Sequence, residues 1–375
     1  MGVPFIDLRR FEDGFLERWA EICRDITENT RFVGGPDVEQ LERNLVQRTG
    51  AAAAVACANG TDALQLALRA VGVGPGDVVA IPDATFWATF EAVINCGGRP
   101  VTVDIDPDDL QLDLDLLRQA LDHYQPKAVI LVHLYGWGSG KLAEIRSLCR
   151  EREIPLVEDG AQSFGVTYGG ESIYRDALIS TISFYPAKVL GACGDAGAVL
   201  CSDAEMADLV RRLGNHGRSD HYQHAWVGWN SRMSGFDAAF LNLSLEHFDR
   251  RLESRQQLAA RYRQRLPELG VRVPALPAGY EENGYLNVTL QDPQRRDAVE
   301  AVLRDAGIGT GRVYPGSMST QPGAEGHLHG AIGGERAEEL SRSVLNLPLF
   351  AYMGEAEQDE VLTVLARAME KAAAG

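Results

Sequence analysis

Lysine side chains that could form a Schiff base are scarce in this chain. Only four of its 36 basic residues are lysines: Lys127, Lys141, Lys188 and Lys371. Lys188 follows an apolar strand pattern and lies among small and apolar residues, whereas the others fall before a strand, at the start of a surface helix or in the C-terminal tail. Because desolvation favours the neutral, nucleophilic form of an amine, this position favours Schiff-base chemistry at Lys188.

Two acidic residues, Glu158 and Asp159, end the apolar run that begins at Leu156. Adjacent side chains of a strand point to opposite faces, so one of the two acids faces the interior or a cleft. Ligands of open α/β sheets bind beyond the carboxyl ends of the strands, where such an acid can pair with a cationic ring nitrogen. A carboxylate that caps the next helix explains the same residues equally well.

Two further runs follow strand patterns and could bind parts of a ligand. Asn59-Gly-Thr-Asp opens a helix, and its first free amides, beside Gly60 and Thr61, form a cradle for an anion such as phosphate. An ordinary helix cap by Thr61 or Asp62 is an equal alternative. In Thr85-Phe-Trp-Ala-Thr, an aromatic side chain could stack on a flat heteroaromatic ring, although core packing is the default for such residues.

A parallel sheet would position these residues. Apolar runs alternate with helical patterns from about residue 50 to 203, which indicates crossover connections. We expect a different pairing for the last two strands, because only a glycine-rich stretch separates them. The expected strands are Val55–Ala58, Val78–Pro82, Val101–Asp104, Ala128–His133, Pro155–Glu158, Ile179–Phe184 and Ala198–Cys201, with helices at Ala63–Ala70, Leu110–Leu121 and Leu142–Arg150.

The remaining patterns predict a smaller second domain. We expect a large domain over 1–250, with an N-terminal arm over 1–35, and a small C-terminal α/β domain over 251–375. Glycine-rich residues 316–334 predict a mobile loop. The other expected elements are a helix that begins at Pro36, a long helix Phe240–Leu266, strands Tyr285–Leu290 and Ile308–Val313, a helix Pro293–Ala306 and a terminal helix from Glu355.

Composition excludes several classes of protein. The 375 residues carry a formal charge of −17, which repels nucleic acid and acidic membrane surfaces. The six cysteines form no CxxC pair, so we expect neither a metal site nor a disulfide scaffold. Because no leader pattern opens the chain and no apolar run approaches the ~18 residues of a membrane span, we expect a cytoplasmic protein without a membrane partner.

Five runs in order resemble the DegT/DnrJ/EryC1/StrS family of pyridoxal-phosphate (PLP)-dependent sugar aminotransferases. The resemblance extends from Pro4-Phe-Ile-Asp-Leu to Leu345-Asn-Leu-Pro-Leu-Phe. It implies a fold of type I, similar to aspartate aminotransferase, with a mostly parallel seven-stranded sheet in the large domain. The five runs are Asn59-Gly-Thr-Asp-Ala-Leu, Thr85-Phe-Trp-Ala-Thr, Glu158-Asp-Gly-Ala-Gln-Ser, Ser183-Phe-Tyr-Pro-Ala-Lys and Asn230-Ser-Arg-Met.

The resemblance also implies roles around the ring of PLP. Lys188 would form the Schiff base with PLP and carry the proton between donor and acceptor carbons. Asp159 would pair with the pyridinium nitrogen, so that the ring can absorb electrons. Gln162 would lie against the phenolic oxygen, and Phe86 would stack on the ring face. The dehydratases of the family carry histidine at the position of Lys188, which disfavours that activity.

For the phosphate, the resemblance implies Gly60, Thr61 and Ser183 from the same chain. Asn230 would reach the phosphate of a neighbouring subunit, which implies a homodimer with shared active sites.

Two departures from the family concern the substrate. Gly235-Phe-Asp replaces the usual residues before Ala238-Ala, and Val313-Tyr-Pro replaces His-Tyr-Pro, which leaves Tyr185 and Tyr314 as candidates for the sugar end. The expected reaction moves an amino group from an amino acid, most simply L-glutamate, to a nucleotide-linked 3-keto- or 4-keto-deoxysugar, and Tyr185-Pro-Ala-Lys favours the third carbon. The alternatives are another keto sugar, such as an octulosonate or an aminocyclitol precursor, and a non-catalytic sensor.

Overall fold

The computed structural model describes residues 2–220 and 222–374. The strands in chain order are β1 (Ala53–Cys57), β2 (Val78–Pro82), β3 (Arg99–Val103), β4 (Ala128–Val132), β5 (Leu156–Asp159), β6 (Thr167–Tyr168), β7 (Glu171–Ser172), β8 (Ile179–Ser183), β9 (Gly197–Cys201), β10 (Tyr280–Glu281), β11 (Asn287–Leu290), β12 (Gly330–Ile332) and β13 (Val344–Leu347). The helices are α1 (Phe15–Glu28), α2 (Pro36–Thr49), α3 (Gly60–Ala70), α4 (Trp87–Asn95), α5 (Leu114–Tyr124), α6 (Leu142–Glu151), α7 (Ala204–Gly214), α8 (Gly235–Glu246), α9 (Phe248–Arg265), α10 (Arg296–Asp305), α11 (Glu335–Ser343) and α12 (Glu355–Ala374).

A large sheet organises the molecule, with strand order β1-β9-β8-β5-β4-β2-β3-β12. Strand β9 is antiparallel to both β1 and β8, and the other neighbouring pairs are parallel. The strands other than β9 therefore point in one direction, and their carboxyl ends lie along one edge. The predicted α/β class and the mostly parallel sheet are confirmed, and so is the different pairing of the last two predicted strands.

The predicted number of strands was wrong, because β12 adds an eighth. Residues 330–332 pair in parallel with residues 101–103 of β3. Such a short strand inside a glycine-rich segment has no apolar alternation of its own, and its pairing depends on an edge strand more than 200 residues away. The predicted mobile loop over 316–334 thus contains a strand and two short 3₁₀ turns, at Met318–Thr320 and Pro322–Ala324.

Two other predicted elements differ. The single helix predicted over Phe240–Leu266 is two helices that meet at His247, where Phe248 turns in to pack against Phe164 with ring centres 5.0 Å apart. No glycine or proline marks this break in the sequence. The strand predicted over Ile308–Val313 does not form. Gly309 donates its amide to Val3 instead, and Gly311 makes only an isolated bridge.

Apolar side chains form one large core around the sheet and a second core in the C-terminal part of the chain. The second core joins α9, α10, α12 and β13, with Val3 from the N-terminal end. Strand β12 nevertheless belongs to the large sheet, so the C-terminal part contributes directly to the edge where strands end. Within the described ranges, no helix is both long and apolar enough to cross a lipid bilayer.

Candidate active site

A cavity of about 590 Å³ opens at the carboxyl ends of the parallel strands. A separate cavity of about 480 Å³, lined by Arg146, Glu158 and Tyr174, contains none of the predicted site residues. The predicted site residues that line the larger cavity are Gly60, Thr61, Phe86, Asp159, Gln162, Ser183, Tyr185, Lys188 and Tyr314.

Asp159 is the last residue of β5 and is only 5% exposed. Its Oδ1 accepts the amide of Ala161 at 3.1 Å, and its Oδ2 accepts the hydroxyl of Thr89 at 3.2 Å. Burial raises the pKa of this carboxyl, and the Ala161 amide and the charge of Lys188 oppose only part of that rise. The cavity therefore holds a buried acid that a cationic ligand would stabilise.

Glu158 points to the opposite face of β5, as strand alternation requires. Arg146 forms a forked ion pair with it at 2.8 Å for both contacts, and His133 Nε2 lies 2.9 Å from Oε2. Burial alone would raise the pKa of the Glu158 carboxyl, but hydrogen bonds from His133 and Arg146 hold it below its usual range. Of the two adjacent acids, only Asp159 lacks a cationic side chain as a hydrogen-bond partner in the described part of the chain.

Lys188 follows β8 and is half-buried in the wall of the larger cavity. Its Nζ lies 3.4 Å from the hydroxyl oxygen of Tyr285 and 4.9 Å from the centre of that ring. Among the four lysines, all of which lie in the described ranges, Lys188 alone lines this cavity.

Gln162 connects two walls of the cavity. Its Oε1 accepts the amide of Tyr135 at 2.6 Å, and its Nε2 donates to the Tyr314 hydroxyl at 2.7 Å. The rings of Tyr314 and Phe86 are 5.4 Å apart, and Phe86 is more than half exposed. The exposed ring of Phe86 thus borders the cavity as an available flat surface.

The first turn of α3 lies directly against Ser183. Asn59 caps the helix by accepting the amide of Asp62, so the predicted cap by Thr61 or Asp62 was wrong. The amides of Gly60 and Thr61 begin the helix and cannot have partners within it. A Cβ atom on Gly60 would lie 2.7 Å from Cβ of Ser183, so only glycine permits this close approach. Free amides and a hydroxyl together suit an anion.

Asn230 lies away from this cavity. It is exposed, and its Oδ1 accepts two hydrogen bonds from Arg232, at 2.7 and 3.0 Å. The hydroxyl groups of two residues without a predicted role, Thr89 and Tyr285, lie within hydrogen-bond distance of Asp159 and Lys188. Thr89 is the last residue of the run Thr85-Phe-Trp-Ala-Thr, and its hydroxyl lies 2.9 Å from that of Thr85. Nothing in the sequence around Tyr285 indicates its contact with Lys188.

An amine and a buried carboxylate at the carboxyl edge of such a sheet suit a PLP-dependent enzyme of fold type I, and comparison with known proteins shows that class. The model of the DegT/DnrJ/EryC1/StrS aminotransferase family matches residues 16–366. The chain belongs to this family of PLP-dependent sugar aminotransferases.

Individual relatives match over almost the whole chain. The UDP-2-acetamido-2-deoxy-3-oxo-D-glucuronate aminotransferase of Pseudomonas aeruginosa is 35% identical over 94% of this chain and 96% of its own length. The UDP-N-acetyl-3-dehydro-alpha-D-glucosamine 3-aminotransferase of Acidithiobacillus ferrooxidans is 34% identical over 98% of both chains. The crystal structure of S. venezuelae DesV in complex with a ketimine intermediate superposes with a TM-score of 0.93 at 32% identity, over 98% of this chain and 99% of that one.

Proposed function

We propose that the protein transfers the amino group of L-glutamate to the 3-keto group of a nucleotide-linked sugar. The observation that carries the proposal is that the one lysine in the cavity, Lys188, shares it with the buried Asp159. The two relatives described above are both named for a ketone at the third sugar carbon, and both names specify a UDP-linked sugar. The run Tyr185-Pro-Ala-Lys supports the same carbon, and Tyr185 and Tyr314 are the residues that we assign to the sugar.

The residues of the cavity fit PLP. We assign the phosphate to the α3 amides of Gly60 and Thr61 and to Ser183, because that cradle is built from free donors and a glycine that no larger residue could replace. When bound, PLP supplies an electron sink that stabilises negative charge on the carbon that loses its proton.

The ring of PLP fits the deeper residues. A pyridinium nitrogen would supply the counter-charge that Asp159 lacks, which explains why an acid is tolerated in a buried position. Gln162 would donate to the phenolic oxygen, and the open face of Phe86 would stack on the ring. Lys188 Nζ would bind the cofactor, then hold and move the proton between donor and acceptor carbons.

We also propose that the protein is cytoplasmic and forms a homodimer in which the two subunits share their active sites. Asn230 is exposed and lies away from the cavity of its own chain, as a residue that serves a neighbouring subunit must. Two large apolar side chains close to Asn230 in the sequence, Trp226 and Val227, are exposed, and so are Phe32 and Val33. A second copy would bury such side chains. The division into domains over 1–250 and 251–375 also stays a proposal.

Reductive trapping tests the proposal. Borohydride reduction of the protein with PLP should fix the cofactor on the peptide that contains Lys188, while the other three lysines serve as internal controls in the same digest. Label on Lys127 or Lys141 would contradict the assignment. A screen of keto sugars with glutamate should then give turnover that Lys188→Ala abolishes. If PLP is trapped on Lys188 but no 3-keto nucleotide sugar is aminated, the substrate is wrong and the cofactor site stands.

A further inference from the structure

Tyr285 reaches the proposed active site from the C-terminal part of the chain. Its hydroxyl oxygen lies 3.4 Å from Nζ of Lys188, and the lysine amine sits 4.9 Å from the ring centre. The same residue lines the cavity beside Asp159 and Gln162. Neither the resemblance to the family nor the sequence pattern assigns it a role.

The backbone that carries Tyr285 is tied to the loop after β5. The Asn283 side chain is fully buried, donates to the carbonyl oxygens of Gln162 and Phe164 at 2.9 and 3.0 Å, and accepts the amide of Tyr285 at 2.9 Å. One buried amide thus fixes Tyr285 relative to the segment that follows Asp159.

Arg255 fixes the other side of this turn. Its buried guanidinium donates to the carbonyl oxygen of Gly284 at 3.1 Å. Gly284 has φ +62°, and a Cβ atom there would lie 2.7 Å from the carbonyl oxygen of Arg255, so the turn requires glycine. Buried polar side chains thus form hydrogen bonds on both sides of the turn that carries Tyr285. A residue that only covered the surface would not need its backbone fixed in this way.

We propose that Tyr285 is a catalytic residue whose hydroxyl binds and orients the free amine of Lys188 between its attachments to the cofactor. The inference rests on the proposed function. The phenol oxygen of Tyr285 accepts a hydrogen bond from the amine when Lys188 holds the proton, and the ring face favours that cation. Lys188 keeps the proton-transfer role, and Tyr285 keeps Nζ directed into the cavity during the interval when no covalent bond holds it.

Competitive acetylation of the four lysines tests the contact without any turnover. The cofactor-free full-length chain is treated with trace acetic anhydride, and the label on Lys188 is measured relative to Lys127, Lys141 and Lys371 in one digest. In Tyr285→Phe, the relative labelling of Lys188 should rise about fivefold, because the hydrogen bond that holds the amine against the phenol is lost and Nζ is free to reach the reagent. Tyr168→Phe, a tyrosine outside the cavity, is the matched control and should label as the parent does.

A second variant separates the hydroxyl from the ring. Tyr285→Leu removes both and should raise the labelling further than Tyr285→Phe. If Tyr285→Phe labels like the parent, the proposed hydroxyl contact is refuted, whatever Tyr285→Leu does.

A single-turnover reaction with glutamate gives the functional readout. The rate at which the PLP absorbance disappears should fall at least tenfold in Tyr285→Phe. The glutamate concentration that gives half the maximal rate should stay unchanged, because the phenol acts on Lys188 and not on the donor. An unchanged rate overturns the catalytic role. Failure of the parent to bind PLP at Lys188 would instead refute the proposed function. The difference in Lys188 acetylation between the parent and Tyr285→Phe would still test the contact between Tyr285 and Lys188.

Discussion

Glu158 and Asp159 are adjacent in β5 and both buried, but their electrostatic surroundings are opposite. Glu158 has a guanidinium and an imidazole within 2.9 Å, whereas Asp159 has an amide and a hydroxyl. Their pKa values move in opposite directions, upward for Asp159 because of burial and downward for Glu158 because its partners outweigh burial. Asp159, which has no cationic hydrogen-bond partner among the described residues, is therefore the acid that we propose pairs with a cationic ligand.

Asp159→Asn should therefore stabilise the cofactor-free protein and inactivate the enzyme. At neutral pH the parent must either bury a charge or bind a proton at Asp159, and the amide does neither, so the free energy of unfolding should rise by about 1–3 kcal/mol. Because the folded-state pKa of Asp159 is raised, this gain should vanish as the pH falls to the ordinary range of aspartate. Chemical denaturation at several pH values measures this gain in stability. Turnover should fall by at least about 10³-fold, because the carboxylate that would pair with the pyridinium nitrogen of PLP is lost.

Glu158→Gln provides the contrast at the neighbouring position. Loss of the carboxylate leaves the half-buried Arg146 without its charged partner, so the free energy of unfolding should fall by about 3 kcal/mol. Because the folded-state pKa of Glu158 is lowered, that loss should be largest at neutral pH and shrink in acid. If both variants were destabilised alike at neutral pH, Asp159 would not be an uncompensated charge.

Gly60→Ala tests the phosphate cradle at the same scale. The added methyl group would lie 2.7 Å from Cβ of Ser183 and must displace either Ser183 or the first turn of α3. The equilibrium constant for dissociation of PLP should rise at least tenfold, as monitored by cofactor absorbance or fluorescence. Gly74→Ala is the matched control, since the nearest atom to its new methyl group would be 3.9 Å away, and its PLP affinity should not change.

At the scale of elements, two carboxylates hold the segment that follows Tyr314 against the sheet. Asp83, just after β2, accepts the amide and the hydroxyl of Ser319 at 2.7 and 2.8 Å. Asp104, just after β3, accepts three amides at the start of α11, those of Gly334, Arg336 and Ala337. The ends of two strands thereby fix both ends of a segment that has little secondary structure of its own.

Asp83→Asn should change how stability depends on pH. Burial raises the pKa of the Asp83 carboxyl to about 6, from an ordinary value of 3.8. The folded protein therefore binds this proton more tightly than the unfolded chain, and its stability declines as the pH rises from about 4 to about 6, by about 2–3 kcal/mol in total. The difference in free energy of unfolding between parent and Asp83→Asn should shift by that amount across this range. A constant difference would mean that Asp83 titrates normally.

The sequence could predict those elements whose residues interact mainly with close neighbours in the chain. The apolar runs of β1, β2, β4 and β8 and the start of α12 at Glu355 follow from periodicity alone. The strand β12, the break at His247 and the position of Tyr285 depend on partners far away in the chain: an edge strand, the ring of Phe164, and the carbonyl oxygens that Asn283 and Arg255 bind. The positions of Lys188 and Asp159 beside a cavity could be predicted because ligands bind where parallel strands end, whereas Gln162 was indicated only by the resemblance to the family.

At the scale of the whole molecule, the cavity is acidic apart from one lysine. Asp62, Glu91, Asp159 and Asp195 line it together with Lys188, and no arginine of the described ranges does so. A nucleotide-linked sugar and glutamate are both anions, so this chain alone offers them little charge complementarity. A second subunit that contributes the segment around Asn230 would also bring the exposed Arg232. Shared sites would thus give a chain of net charge −17 a basic group toward the anionic substrates that we propose.

Subunit mixing tests whether the sites are shared. Lys188→Ala and Asn230→Ala should each be inactive or nearly so as homodimers. After unfolding and refolding of an equal mixture, half of the dimers are mixed, and each mixed dimer contains one site with both residues intact, so activity should return to about a quarter of the parent value. Lys188→Ala mixed with Asp159→Asn should recover nothing, because these two residues line the cavity of one chain and no combination restores a complete site. Equal recovery in both mixtures, or in neither, would show that Asn230 does not act across a dimer interface.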